Sequence, residues 1–562
     1  MNKSGLQESF LNIKRLEGLI VILVVSYVIR LFLMSITTFV SDESVYVYAS
    51  FAISKGIVPY REIVLAQPPF MFLIYSFIIW LGGVNLAYIR LFNIGLFTIT
   101  ILQTYAFSNM LLQKCEKKER ISLIISVFYG LFPSSFILLS ITDMLDILLV
   151  FFIMNSCISY MLFRKSYNLK LLFLSGLFMG CSLMTTVRAV FFILPMVFYQ
   201  LTTIICSRHT HRYRLFFIYA ITLVLGGILP IIICLFLITS VWNATNRFFV
   251  DIFYFPSIMI KMRLEVRVFN TLEELLILLP LAILALIPSI LYIVKKNRPD
   301  NIFPMPSIII LSGIFLVCVL PPNIFHQYFF YLLPFISFMA CIGLFELVKW
   351  LREIINNLKT PYEKYLKVAA TILIISVFFY SSTRSLTFIN NVTNALYTQG
   401  LKRNPYDQAA FEAANYIANV TNLQDKIWTS EGAIAFFSQR LIVPPNSSNW
   451  PVSCFFSDYF GYVPKTRSYE LEYRGDEIKD YNGDLLTITQ FVQSWEENKV
   501  KAIVFIMEIE NGTGFVPYPD HFIYEGFRSQ EGAKVYVQQN YELKQNIMVP
   551  GNLYRYEIWI RK

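Results

Sequence analysis

Residues 16–44 read LEGLIVILVVSYVIRLFLMSITTFVSDES. From Leu16 to Val40 the run is apolar, with Arg30 the only ionisable residue well inside it, and it stops abruptly at Ser41-Asp42-Glu43-Ser44. A membrane span needs about 20 predominantly apolar residues, so this run is long enough to cross. It is too long for the apolar part of a cleaved signal peptide and has no small-residue cleavage site, so it is expected to remain as a signal anchor.

Ten further runs have the same character, at 86–112, 120–140, 142–163, 169–187, 188–206, 213–241, 271–294, 305–321, 327–349 and 364–381. They explain a composition of 56% hydrophobic and 15% charged residues with a mean hydropathy of +0.56, where soluble chains run at roughly 45–50% apolar and about 25% charged. A twelfth apolar stretch, Phe70–Gly83, is shorter. The net charge of +10 is unevenly placed, because residues 382–562 carry 17 basic and 20 acidic side chains. The excess of positive charge therefore lies in the apolar first part, in short loops between spans, which is the positive-inside pattern and does not point to nucleic acid.

Loop charge also sets the expected topology. With a cytoplasmic N-terminus (Lys3, Lys14, Arg15) and a Phe70–Gly83 stretch that does not cross, the basic loops Lys114–Arg120, Arg164–Lys170, Arg208–Arg214, Lys295–Arg298 and Lys349–Lys367 all fall inside. The loops 41–68, 141–146, 242–270 and 322–327 then lie outside, as do the sequons headed by Asn243, Asn391, Asn419, Asn446 and Asn511. Seven of the eight cysteines sit in or beside apolar runs without metal-like spacing, so no disulfide framework is expected.

Beyond Ser382 the pattern changes. Asp407–Val420 and Ile488–Asn498 have helical periodicity, and Glu431–Gln439 reads as a short helix. Lys426–Thr429, Val500–Glu508 and the stretches 541–549 and 553–561 read as strands. The expected fold class is an α-helical polytopic membrane protein of about eleven to thirteen spans (residues 1–381) followed by an extracytoplasmic α/β domain (residues 382–562).

Asp42 and Glu43 follow the first span directly. A carboxylate pair at a membrane surface can deprotonate a hydroxyl or hold a metal; equally, Asp42 can be the N-cap of a helix beginning near Ser44. Both readings stand open on spacing alone. Asp143 and Asp146 form a second acidic pair on the expected outer side, three residues apart and so on one helical face. Cations share that side: Arg61, Arg188, Lys261, Arg263 and Arg267, with His326-Gln327-Tyr328 opening the tenth span. Arginine binds phosphate through paired hydrogen bonds, so the set suits an anionic lipid headgroup, while any single one could be snorkelling at a helix end.

Three segments carry a family resemblance. Ser41-Asp42-Glu43-Ser44-Val45-Tyr46-Val47-Tyr48-Ala49, then Gly56-Ile57-Val58-Pro59-Tyr60-Arg61-Glu62 and Gln67-Pro68-Pro69-Phe70, resemble the first outer loop of GT-C membrane glycosyltransferases, in particular the dolichyl-phosphate-mannose protein mannosyltransferase and aminoarabinose transferase group. Thr142-Asp143-Met144-Leu145 is similar to their second acidic motif, and His326-Gln327-Tyr328-Phe329 through Pro334 to the motif opening a late span. Gln67 departs from the family, which often has His or Lys before the Pro-Pro pair.

The resemblance implies inverting transfer of a sugar from a polyprenyl- or dolichyl-phosphate donor to a glycan, lipid or protein acceptor at the outer membrane face. Asp42 would be the base, and Glu43 and Asp143 would orient it or hold a divalent cation such as Mg or Mn. Asp146, Gln67 and Tyr328 would support the site, and Arg188, Arg263, Arg267 and His326 would bind the departing lipid phosphate. A transporter is the rival from another class, but transporters concentrate ionisable groups near the midplane within inverted repeats, and no repeat is evident. An oligosaccharyltransferase subunit would carry a Trp-Trp-Asp motif, of which Asp458-Tyr459-Phe460-Gly461, preceded by Phe455 and Phe456, is a faint echo. A purely structural membrane anchor would leave the outer acidic pairs unexplained.

The topology is testable on intact cells. Cysteines introduced at Lys117 and Lys165 should stay unlabelled by a membrane-impermeant maleimide, and labelling at either position overturns the assigned sidedness.

Overall fold

A computed structural model describes residues 3–36, 41–63, 65, 67–113, 115–131, 140–142, 144–205, 212–254, 284–285, 304–319, 330–358, 405–429, 432–442, 493, 495–508, 531–548 and 554–562. Its helices are α1 (Lys3–Ile36), α2 (Ser41–Ser54), α3 (Phe70–Gly82), α4 (Leu86–Leu111), α5 (Lys118–Leu131), α6 (Met144–Ser166), α7 (Leu169–Thr185), α8 (Val190–Ile205), α9 (Arg212–Phe236), α10 (Thr245–Phe249), α11 (Pro304–Val319), α12 (Leu333–Leu358), α13 (Pro405–Val420), α14 (Gly432–Ser438) and α15 (Glu531–Asn540). The strands are β1 (Lys426–Thr429), β2 (Leu441–Ile442), β3 (Ala502–Glu508), β4 (Tyr541–Met548) and β5 (Tyr554–Arg561). Among the described residues five helices are long and apolar enough to cross a membrane: Glu17–Met34, Leu86–Leu111, Leu145–Ser166, Leu215–Val241 and Phe330–Trp350. The protein is a multi-pass membrane protein. The expected spans 271–294 and 364–381 lie almost wholly outside the described residues.

The chain packs into two compact units. The first comprises Met1–Met34, Leu91–Ile232 and Leu264–Tyr397. Its helices meet through small and hydroxyl side chains, as expected where lipid removes the hydrophobic drive between helices. Ser156 on α6 and Ser175 on α7 each donate to the other's backbone carbonyl at 3.0 Å. Gly176 and Gly180 of α7 let the backbone of α9 approach so closely that a Cβ at either would overlap a carbonyl oxygen, that of Leu223 or of Gly227. The opposite side of α9 exposes Phe217, Ile221, Leu225, Ile228 and Ile232, a lipid-facing row.

Arg30 is buried in this unit and is satisfied by neutral groups. Its Nε donates to Ser140 Oγ at 2.7 Å, and its Nη1 donates to Ser26 Oγ at 2.6 Å and to the Gly130 carbonyl at 3.0 Å. Its guanidinium carbon lies 3.8 Å above the Phe97 ring, a cation–π contact that strengthens when water is excluded.

The second unit comprises Ser35–Arg90, Ile233–Arg263 and Thr398–Lys562. Its sheet runs β2-β1-β3-β5-β4. The strands β2, β1 and β3 are parallel, with Trp428 opposite Ile503, and β5 returns antiparallel to β3, with Val504 opposite Ile558. The strand β4 pairs antiparallel with β5 through an irregularity at Leu543/Gln545. Most sequence expectations for this region are met to within two residues at each end. The structure adds β2, too short to show a period, and α15, whose apolar positions are few.

Composition draws a line near residue 382, but packing draws another, because α2 belongs with the C-terminal sheet. This helix is apolar all round, from Val45 to Ala52 no side chain exceeds 6% exposure, and a helix of that kind must be covered on every side. It lies against α3 and α14, with Phe51 edge-on to Phe436 at 6.0 Å. The Tyr48 hydroxyl accepts the Ile442 backbone N–H at 2.8 Å, so α2 closes the open edge of the sheet. The helix starts at Ser41, which corrects the reading of Asp42 as an N-cap: Asp42 is the second helical residue. α3 has 13 residues, about 20 Å of helix, against a hydrocarbon core of roughly 30 Å.

The glycine seam gives a stability prediction. Gly176→Ala forces α7 and α9 apart and should cost about 1–3 kcal/mol, read as a lower thermal midpoint in detergent. Gly95→Ala, where an added Cβ meets nothing within 4 Å, should leave the midpoint unchanged or raise it.

Candidate active site

Helix α2 sets the position of the first acidic pair. Asp42 lies in its first turn, where the helix dipole favours a carboxylate. Glu43 is buried and fully engaged: Arg90, in the first turn of α4, donates from Nε to Oε1 at 2.8 Å and from Nη2 to Oε2 at 2.6 Å. Both side chains are shut away from solvent, at 0% and 6% exposure. A two-pronged guanidinium–carboxylate contact is the strongest form of this pair, and removing one partner of a buried pair costs about 3–5 kcal/mol. Both carboxylate oxygens of Glu43 are thus engaged by one guanidinium.

The loop between α2 and α3 is built as tightly. Tyr60 adopts a left-handed backbone, φ 61°, uncommon for an aromatic residue. Its hydroxyl donates to the Gln67 carbonyl at 2.9 Å, and its ring meets Phe248 edge-on at 5.1 Å and lies 6.2 Å from Trp242. Burial, and then the charge of Asp251, push the Tyr60 hydroxyl well above its usual pKa, so it remains a donor throughout the physiological range. Asp251 Oδ2 accepts the Leu65 N–H at 3.2 Å, and Arg247 donates to the Arg61 carbonyl. Glu62 accepts the Val58 N–H at 2.8 Å and pairs with the exposed Arg61 at 3.1 Å. Gln67 is half-buried at the turn into α3.

The second acidic motif lies in the other unit. Thr142 is buried, and Asp143 is outside the described residues. Asp146, in the first turn of α6, is buried and faces Arg188, whose Nη1 lies 3.4 Å from Oδ2. Arg188 sits on a 3₁₀ turn, Val187–Ala189, opened where Thr186 turns extended after α7. The same Thr186 Oγ1 accepts from Arg188 Nε at 3.3 Å. Two residues expected in separate roles, a supporting acid and a phosphate ligand, are therefore partners. Lys261, Arg263, Arg267, His326 and Tyr328 lie outside the described residues.

Sequence reasoning passed over Arg90, Tyr60's clamp and Asp251. Arg90 had one available signal, a cation at the expected outer end of an apolar run; Asp251 had only its place among aromatics. A divalent cation finds no donor set among the described residues: no three potential ligands cluster, and both Glu43 oxygens accept from Arg90.

No protein-family model matches the sequence, and no curated protein does. Among solved structures, ArnT from Cupriavidus metallidurans bound to undecaprenyl phosphate aligns over 96% of this chain and 98% of its own, with a TM-score of 0.58 at 12% identity. Its apo form aligns over 97% and 98%, again with a TM-score of 0.58 at 12% identity. The oligosaccharyltransferase AglB from Archaeoglobus fulgidus, in complex with an inhibitory peptide and a dolichol-phosphate, aligns over 96% of this chain and 74% of its own, with a TM-score of 0.48 at 11% identity. At such identities the likeness is one of architecture: over nearly its whole length the chain has the fold of ArnT.

Proposed function

We propose that this protein is a glycosyltransferase that moves a sugar from a polyprenyl-phosphate carrier to a hydroxyl acceptor, on a glycan, lipid or protein, at the non-cytoplasmic membrane face. The observation that carries the reading is the acidic pair at the head of α2, in which both Glu43 oxygens are taken by Arg90, so the proton-transfer role is assigned to Asp42. The fold likeness supports it, since ArnT was solved with undecaprenyl phosphate.

The reaction is a single displacement. Asp42 takes the proton of the acceptor hydroxyl as its oxygen attacks the anomeric carbon, the bond from that carbon to the phosphate oxygen breaks, and the bonding pair leaves on the lipid phosphate. Configuration inverts. Arg263, Arg267 and His326 stabilise the departing charge, and Tyr328 supports them. Arg188 serves chiefly to neutralise Asp146, a change from the role the sequence alone suggested. The buried Glu43–Arg90 pair keeps the head of α2 in place.

Two measurements test this reading. Asp42→Asn keeps size and hydrogen bonding but cannot take a proton, so turnover should fall about 10²–10⁴-fold while folding and donor binding persist; near-normal transfer sinks the mechanism. Arg263→Ala combined with Arg267→Ala should weaken binding of a polyprenyl-phosphate sugar more than binding of acceptor, and an unchanged donor affinity removes these two residues from the site.

A further inference from the structure

We infer that Trp242–Tyr254 is a latch that sets the working conformation of the outer loop Val58–Gln67, with Tyr60 and Asp251 as positioning residues for the transfer reaction. The inference rests on the proposed function for its kinetic consequence and on geometry for the latch itself.

The loop holds only part of its shape from within. Its left-handed Tyr60 is a conformation that persists only where surrounding structure over-determines it. Within the loop, the Tyr60 hydroxyl reaches forward to the Gln67 carbonyl and Glu62 reaches back to the Val58 N–H. Backbone bonds from the Arg61 N–H to the Pro59 carbonyl and from the Glu62 N–H to the Val58 carbonyl close the turn, and further constraints come from about 180 residues later in the chain. Trp242 and Phe248 meet the Tyr60 ring, Arg247 takes the Arg61 carbonyl, and Asp251 takes the Leu65 N–H. The Arg61 carbonyl and the Leu65 N–H are thus met by side chains of the later segment. Asp251 and Tyr60 are both fully buried, so neither contact is a solvated surface pairing.

The latch segment is itself irregular, which suits a device shaped for a particular contact. It follows one π-helical turn, Leu237–Val241, and ends in another, Val250–Tyr254, and such turns recur at functional sites. Asn243 between them has φ 49°. In sequence the segment leads directly into residues 255–270, which carry Lys261, Arg263 and Arg267. The stretch assigned to donor phosphate is therefore continuous with the stretch that shapes the loop between α2 and α3. A displacement of one is carried to the other through buried polar contacts, which have few alternative partners.

The experiment compares full-length wild type with Tyr60→Phe, Asp251→Ala and Asp251→Asn in detergent or nanodiscs. Amide exchange at Leu65 and Gln67 should quicken in Tyr60→Phe and Asp251→Ala. Their kcat for sugar transfer should fall about tenfold, the size of one buried hydrogen bond, with donor KM shifted by about twofold or less. Asp251→Asn keeps an acceptor for Leu65 and should recover most of the rate, which a general loss of stability would not predict. Wild-type exchange in both Tyr60→Phe and Asp251→Ala overturns the latch. Faster exchange with unchanged kcat, in a background where wild type transfers sugar, overturns the positioning role alone. A wild type that transfers no sugar from any polyprenyl carrier overturns the proposed function and the positioning role together.

Discussion

The second unit depends on one constraint: α2 must bury an apolar body on all sides while its first turn carries two carboxylates. Burial without partners is prohibitive for a charge, so the helix can settle only where a cation waits at its head. Arg90 supplies that cation from the first turn of α4. The body is closed off by α3 and by the C-terminal domain, where Tyr48 caps the Ile442 N–H and Phe51 meets Phe436. The soluble domain is thereby part of the seat of the acidic helix.

The same device recurs in the first unit. Asp146 at the head of α6 is buried against Arg188, which arrives on a 3₁₀ turn after a chain reversal. In both places an acid of a recognisable motif is matched by an arginine from a distant segment, and in both the pair is shielded from water. Buried pairs are weak sources of net stability but costly to break. They restrict which arrangements of the helices are tolerated. Arg30 shows the contrasting solution, a buried cation satisfied by hydroxyls, carbonyls and a ring.

An architecture shared with ArnT at 12% identity is consistent with how such a fold is specified. Lipid-facing and core positions need apolar side chains of suitable size, and many sequences meet that demand. The demanding positions are fewer: the small residues where α7 and α9 touch and the polar atoms that would otherwise be buried alone. The fold can therefore persist while most side chains change.

Much of this was determined by sequence alone. The spans follow from apolar length, and the C-terminal strands and helices from period, because each is a property of a contiguous segment: Lys426–Thr429 is a strand in the structure over the very residues its pattern marks. Asp42-Glu43 and Asp143/Asp146 stand out too, as carboxylates at the ends of apolar runs. Only the tertiary structure decided their partners. Arg90 lies 47 residues from Glu43, Arg188 lies 42 from Asp146, and Asp251 lies 186 from Leu65. No local period records such pairings. The left-handed Tyr60 and the two-residue β2 are likewise invisible in sequence, because each exists only by virtue of contacts that distant segments bring to it.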